Sequence, residues 1–310
     1  MTANTRSIFL GPNGLRAGWR LLIFFAVFIP LAFGASRITD ILTQKLHTET
    51  MGTPLGISVM MGTFLAALLL ASATMARIER RRFADYGLPW RRAFCRQFWI
   101  GAAFSLVSIT LMLFVIHLAG GFSFGSLALH GTDVLKYGAF WTVPVFLAAV
   151  LEDFFYRGHL LFTLTTGIGF WPAAGVTSLW MGGMHYLNPG GHGLGPVAAF
   201  LYCMATCVVI RRTGDLWMAL GIHAAWSWAE IFFFGVLSSG FPGQGHLFNS
   251  SFHGPTWLTG GAFGPTASLP SFALLVAWII IFSAGLHGVK YPNPSAIAPR
   301  SNAPFSSTAQ

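Results

Sequence analysis

The chain has 310 residues, of which 54% are hydrophobic and 9% charged, with a mean hydropathy of +0.64. A soluble domain carries about 25% charged residues, so this composition excludes a soluble globular domain and predicts a polytopic membrane protein. The net charge of +9 comes from arginines in short loops beside apolar runs, a matter of membrane topology rather than of nucleic acid, and three cysteines (Cys95, Cys203, Cys207) make no disulfide framework or zinc ribbon.

Residues 1–15 read as polar and loose or interfacial. Arg6, Arg16 and Arg20 then lead into an apolar run without a small-residue cleavage site, which predicts a retained first span over 19–35. A second span is expected over 55–76. Between 77 and 97 lies the densest basic stretch, Arg77, Arg80, Arg81, Arg82, Arg91, Arg92 and Arg96, broken by the turn Gly87-Leu88-Pro89-Trp90. The positive-inside rule makes this loop cytoplasmic, and its charges suit anionic lipid headgroups. Further spans are expected over 98–118, 137–161, 170–187, 196–210 (stopping at Arg211-Arg212), 216–237 and 269–286, with a Gly/Pro/Ser/Phe loop over 238–268 and a disordered tail from Lys290. The fold expectation is therefore all-α: one transmembrane domain over 1–290, about eight helices and both termini cytoplasmic. That count brings every strong basic cluster to one side. Cys203 and Cys207, at i and i+4 on an apolar helix, read as packing residues, and the abundant Phe and Trp as lipid-facing and interfacial anchors.

The fourth span holds Val150-Leu151-Glu152-Asp153-Phe154-Phe155-Tyr156-Arg157-Gly158. An ionised group at membrane depth costs a few kcal/mol or more unless paired or hydrated, which marks it as functional by default. At about 100° per residue, Asp153 and Arg157 share a face and can pair, while Glu152 escapes the pair together with Tyr156 and His159. Two histidines complement this acid: His185 in Trp180-Met181-Gly182-Gly183-Met184-His185, where small glycines permit close helix approach, and His223 in Gly221-Ile222-His223, with Ser227 one turn on and Glu230 at i+7.

A glutamate and two histidines can do one of two things. Glu152 can take a proton from water, one histidine assisting while the other and Ser227 stabilise an oxyanion. Alternatively Glu152, His185 and His223 can hold zinc (Zn2+) with water in the open position. No HExxH motif is present. At 1.5 Å per residue, Glu152 and His223 lie at similar depths, roughly 12 Å from the cytoplasmic ends of their spans, whereas His185 comes out roughly 9 Å deeper. A misplaced span boundary is the favoured explanation, with His159 in reserve. His192, His246 and His253 read as loop residues, His117 and His287 as interfacial ones.

The order acid-acid-xxx-Arg, then aromatic-xxx-His, then His-xxx-Asn on successive spans is the pattern of the CAAX prenyl protease and bacteriocin-processing (CPBP) family, which this chain resembles. The resemblance covers about 137–237, and the stretches Leu15-Arg16-Ala17-Gly18-Trp19-Arg20 and Arg82-Phe83-Ala84-Asp85-Tyr86-Gly87-Leu88 also look like its bacterial members. It implies an eight-span intramembrane endopeptidase of a bacterial cytoplasmic membrane, acting on a membrane-associated protein or peptide that can be of the prenylated CAAX type. It further implies Glu152 as the water-activating base, His185 as its partner, His223 as an oxyanion or metal contact, and Asp153 and Arg157 as the remaining charged positions of the first motif. The chain departs from the family pattern at Asp153 (usually Glu), Met181 (usually Phe) and Ser227 (usually Asn). Serine donates one hydrogen bond but lacks the amide's reach. Two other readings compete: a non-catalytic scaffold or immunity protein that keeps the fold, and a proton-coupled carrier, which would normally show paired inverted halves that this chain lacks. A phosphate-cradling glycine loop is also missing, which argues against an ATP-driven transporter.

Overall fold

The computed structural model describes residues 8–11 and 14–292. Arg6 and the expected tail over 293–310 lie outside the described residues. Among the described residues, eight principal helices follow in order: α1 (Ala17–Lys45), α2 (Pro54–Ile78), α3 (Arg96–Leu118), α4 (Thr132–Ile168), α5 (Phe170–His185), α6 (Gly195–Thr213), α7 (Trp217–Trp228) and α8 (Leu269–Gly285). Each overlaps one predicted span. Helices α1, α2, α3, α4 and α6 are long and apolar enough to cross a membrane, whereas α5, α7 and α8 have 16, 12 and 17 residues. The protein is a multi-pass membrane protein. Among the described residues the strands are two-residue ribbons, Leu10–Gly11 with Gly14–Leu15 and Phe122–Ser123 with Ser251–Phe252.

Helix starts follow their local chemistry. The Thr53 hydroxyl accepts from the Gly56 N–H at 3.1 Å with Pro54 in the first turn of α2, and Ser268 caps α8 in the same way through Ser271, with Pro270 in its first turn. The predicted end of span four at 161 is corrected: α4 runs on to Ile168. Its last turns look polar in sequence because of Thr163, Thr165 and Thr166. Thr166 Oγ1 nevertheless donates back to the Thr163 carbonyl at 2.7 Å and accepts from Arg20 Nη1 at 2.6 Å, so the helix continues through them. Gly169, at φ +83°, ends it.

One end of the bundle collects the arginines. Arg20 and Arg81 pair with Glu79 at 2.5 and 3.0 Å, and Arg92 pairs with Asp215 at 3.0 Å. Arg211 lies over the rings of Phe170 and Trp171, and Arg212 donates to the carbonyls of Ser283 and Gly288. These contacts join the starts of α1, α5 and α7 to the ends of α2, α6 and α8. Tyr86, in the connection to α3, donates to Glu79, and burial together with that carboxylate pushes its phenol pKa up. At the opposite end the long connection before α8 is folded rather than loose: Gly240 N–H donates to Phe263 O, Gln244 N–H to Gly52 O, and Trp141 Nε1 to Gln244 O.

Helices α3 and α7 touch backbone to backbone. A Cβ on Gly101 would lie 2.2 Å from the Met218 carbonyl oxygen, and one on Gly221 2.0 Å from that of Phe98. On α5, a Cβ on Gly182 would meet Pro196 O of α6 at 2.7 Å, while Gly183 has nothing within 4 Å, so only the first of the paired glycines serves close approach. The aromatic residues divide. Trp90, Trp99, Trp171 and Trp257 are exposed as anchors should be, but Trp141, Trp217 and Trp278 are buried, each with its indole N–H bonded.

Candidate active site

The centre of α4 changes its winding at the acidic motif. Asp153 closes the α-helical part, and Phe154–Leu160 continues as a π-helix, a rare form that concentrates at functional sites. Arg157 Nη2 donates to Asp153 Oδ1, and both side chains are fully buried. The guanidinium also lies 5.3 Å from the Tyr202 ring and places Nη1 3.5 Å from Met181 Sδ. The i, i+4 pair expected from the sequence is therefore present, and Met181, the substituted position of the second motif, touches it.

Asp153 has a second partner. Its Oδ1 lies 3.1 Å from His223 Nδ1. A carboxylate only accepts, so Nδ1 carries the hydrogen and Nε2 of the neutral ring is left as an acceptor. That Nε2 lies 4.0 Å from Glu152 Oε2, and the Glu152 side chain is 32% exposed against 0% for Asp153. Two adjacent carboxylates are thus given different work by a 100° helical step. Asp153 neutralises Arg157 and orients His223, while Glu152 faces open space beside the same imidazole.

That space is a cavity of about 460 Å³, lined by Glu152, His185, Tyr202, His223, Ser227 and Glu230 on its polar side and by Met60, Met61, Met184, Trp141 and Phe241 among its apolar residues. His185 places Nδ1 2.8 Å from the Met181 carbonyl oxygen. A carbonyl also only accepts, so His185 likewise keeps Nε2 as an acceptor. The apparent depth mismatch is resolved by the extra length of α4. Glu152 lies 16 residues before the end of α4 and His185 15 residues after the start of α5, and Gly169 alone separates those two ends. The misplaced boundary lay in span four.

His159 is corrected as the reserve candidate. It is fully buried, with its ring 3.9 Å from that of Phe24 and 4.8 Å from that of Tyr86, and it does not line the cavity. The π-turn takes more residues per turn than the α-helix, so the seven-residue step from Glu152 no longer returns to its face. Glu230, 1% exposed, accepts from Thr266 Oγ1 at 2.5 Å, and Trp226 Nε1 donates to that hydroxyl at 3.2 Å. Of the remaining histidines, His117 and His246 bond the Phe122 and Gly243 carbonyls, and His192 packs on Tyr186.

Among the described residues no group of three His, Cys, Asp or Glu side chains is placed to hold a metal ion. As they stand, Glu152, His185 and His223 do not present the three-ligand set zinc needs.

Residues 134–229 match the family model described as type II CAAX prenyl endopeptidase, Rce1-like. The motif-bearing segment is similar to that family. The match covers about a third of the chain, takes in Glu152, Asp153, Arg157, His185, His223 and Ser227, and points to a protease. No curated protein and no solved structure matches the chain.

The sequence reading missed several residues that shape the site. Met51, Ile57, Met60 and Met61 bring α2 and its leading loop to the cavity. Helix α2 carries no charged or histidine residue before Arg77, so nothing in its sequence separates a cavity wall from a lipid-facing span. Asn188, three residues after His185, also lines the cavity and donates to Ser239 O at 3.2 Å. Tyr202 could have been sought as the aromatic partner of a buried arginine.

Proposed function

We propose that the protein is an intramembrane endopeptidase in which Glu152 activates water to hydrolyse a peptide bond of a membrane-associated substrate. The observation that carries this reading is the division between the two carboxylates: Asp153 is consumed by Arg157 and His223, and Glu152 faces the cavity with His223 Nε2 at 4.0 Å. A water held between Glu152 and a histidine loses its proton to the carboxylate as its oxygen attacks the scissile carbonyl. The negative charge that develops on the carbonyl oxygen needs donors. Both histidines place Nδ1 on an acceptor, so the hydroxyls of Ser227 and Tyr202 on the cavity wall are the donors at hand. The proton taken by Glu152 can pass to Nε2 of a neighbouring histidine, which becomes a donor, and then to the leaving amine. Buried Asp153 stabilises the charge His223 gains. The apolar wall of the cavity suits a hydrophobic residue of the substrate.

The arginine-rich end supports a cytoplasmic placement for the start of α1 and the end of α8 in a bacterial cytoplasmic membrane. The scaffold reading rests on the single hydroxyl that Ser227 offers in place of an amide. An occupancy test separates the two. Met184 lines the cavity and is 45% exposed. In a Cys95→Ser background, Met184→Cys should cleave peptides from a membrane-proximal library until a bulky maleimide is attached, and then stop. Undiminished cleavage after full modification would remove the cavity from the mechanism, and no cleavage by the folded wild type across the library would favour the scaffold.

A further inference from the structure

The bundle is electrically lopsided. Among the described residues, its arginine-rich end carries twelve Lys and Arg (Arg16, Arg20, the seven between Arg77 and Arg96, Arg211, Arg212 and Lys290) against three acids, Glu79, Asp85 and Asp215. The opposite end carries Arg37, Lys45 and Lys136 against Asp40, Glu49 and Asp133. Excess Lys and Arg in short loops next to spans marks the cytoplasmic side, so the arginine-rich end faces the cytoplasm.

The cavity opens the other way. Glu152 and His223 sit at intermediate depth, so their position alone does not choose a side; the lining of the cavity does. Among the described residues, that lining comes from the middle and far parts of the helices and from the far loops: Met51 before α2, Asn188 after α5, Ser238, Ser239 and Phe241 after α7, and Thr266 before α8. No described residue of the arginine-rich loops 79–95, 214–216 or 286–292 contributes. On the cytoplasmic side of Glu152 the next layer is closed by Asp153, Phe154, Arg157, His159 and Leu160, all fully buried. The exposed rim is formed at Met51 and Met184, which are 37% and 45% accessible, with Tyr186 and Leu187 beside it at the end of α5.

From this geometry we infer that the substrate is a peptide segment on the non-cytoplasmic side of the membrane, part of a membrane-anchored or translocated protein, which reaches Glu152 through the rim at Met51 and Met184, and not a lipidated tail lying in the cytoplasm. The inference rests on the protease reading for the word substrate, but the sidedness of the cavity does not, and the test keeps them apart.

Nature has supplied one half of the control. Cys95, at the arginine-rich end, is exposed, while Cys203 and Cys207 are buried. Bacterial cells making the wild type would be treated, as spheroplasts, with a membrane-impermeant maleimide before and after permeabilisation, alongside Cys95→Ser/Met51→Cys and Cys95→Ser/Leu187→Cys. Leu187 is 72% exposed and outside the cavity lining, so it reports on the rim if the Met51 variant folds poorly. The expected result is that Cys95 is labelled only after permeabilisation, and both rim cysteines before it. Rim cysteines labelled only after permeabilisation, or Cys95 labelled in intact spheroplasts, would overturn the inference. Labelling needs no cleavage, so loss of the protease reading would leave this result standing, and the reverse also holds.

Discussion

Asp153 offers the sharpest perturbation, because one oxygen atom serves two partners. In Asp153→Asn the Arg157 guanidinium keeps its full burial, with Met181 Sδ, the Tyr202 ring and the Cys203 side chain as its remaining neighbours and no carboxylate among them. Removing one member of a buried ion pair leaves an uncompensated charge and costs about 3–5 kcal/mol. The same change removes the carboxylate that fixes the His223 ring at 3.1 Å. Displacing a reacting group by about 1 Å can cost on the order of 10²-fold in rate. The two effects separate in the double variant Asp153→Leu/Arg157→Met. Replacing a buried pair by apolar residues of similar size is often neutral or stabilising, so stability should return to within about 1–2 kcal/mol of wild type. The rate should stay low, because His223 still lacks its orienting carboxylate. Reversible unfolding in mixed micelles gives the stability of each protein, and a fluorogenic peptide gives kcat and KM. The reasoning is refuted if the single variant loses less than about 1 kcal/mol, or if the double variant cleaves at the wild-type rate; the second outcome would make the pair purely structural.

Two further outcomes follow from the packing and from the third motif. Gly221→Ala would put a methyl 2.0 Å from a backbone oxygen that has no room to yield, so α3 and α7 must part, with a loss of about 1–3 kcal/mol and a fall in kcat as His223 shifts; Gly183→Ala, which meets nothing within 4 Å, should change neither, and equal behaviour of the two variants would contradict the close-contact argument. Ser227→Ala should lower kcat by about 10²-fold with KM little changed, the cost of a lost oxyanion donor, while Ser227→Asn should equal or exceed the wild type; a Ser227→Ala enzyme at full rate would take Ser227 out of the chemistry.

Much of this site is legible without coordinates because charge is scarce in an apolar chain. Asp153 and Arg157 at i, i+4, with Glu152 one step round the helix, needed only α-helical geometry, and His185 and His223 stood out as polar residues in spans. The contact between Asp153 and His223 could not be read, since it depends on how α4 and α7 pack. The end of α4 was misread because threonines look like a loop when counted by polarity, yet their hydroxyls bond within the helix and to Arg20. His159 was placed on the Glu152 face by assuming 3.6 residues per turn, and the π segment breaks that assumption. The connection before α8, rich in glycine and proline, read as plain loop. Its order comes from backbone bonds to distant residues such as Gly52 and Gly121, which no local pattern announces.

The most direct measurement is the single-turnover cleavage rate of the wild type and Glu152→Gln in the same lipid bilayer, with unfolding curves recorded on both. Glutamine keeps the size of the side chain and its place beside His223 but does not accept a proton from water. The account predicts superimposable unfolding and a rate lower by about 10²–10⁴-fold, the usual worth of a positioned general base. A Glu152→Gln protein that unfolds like the wild type and cleaves at a comparable rate would contradict it.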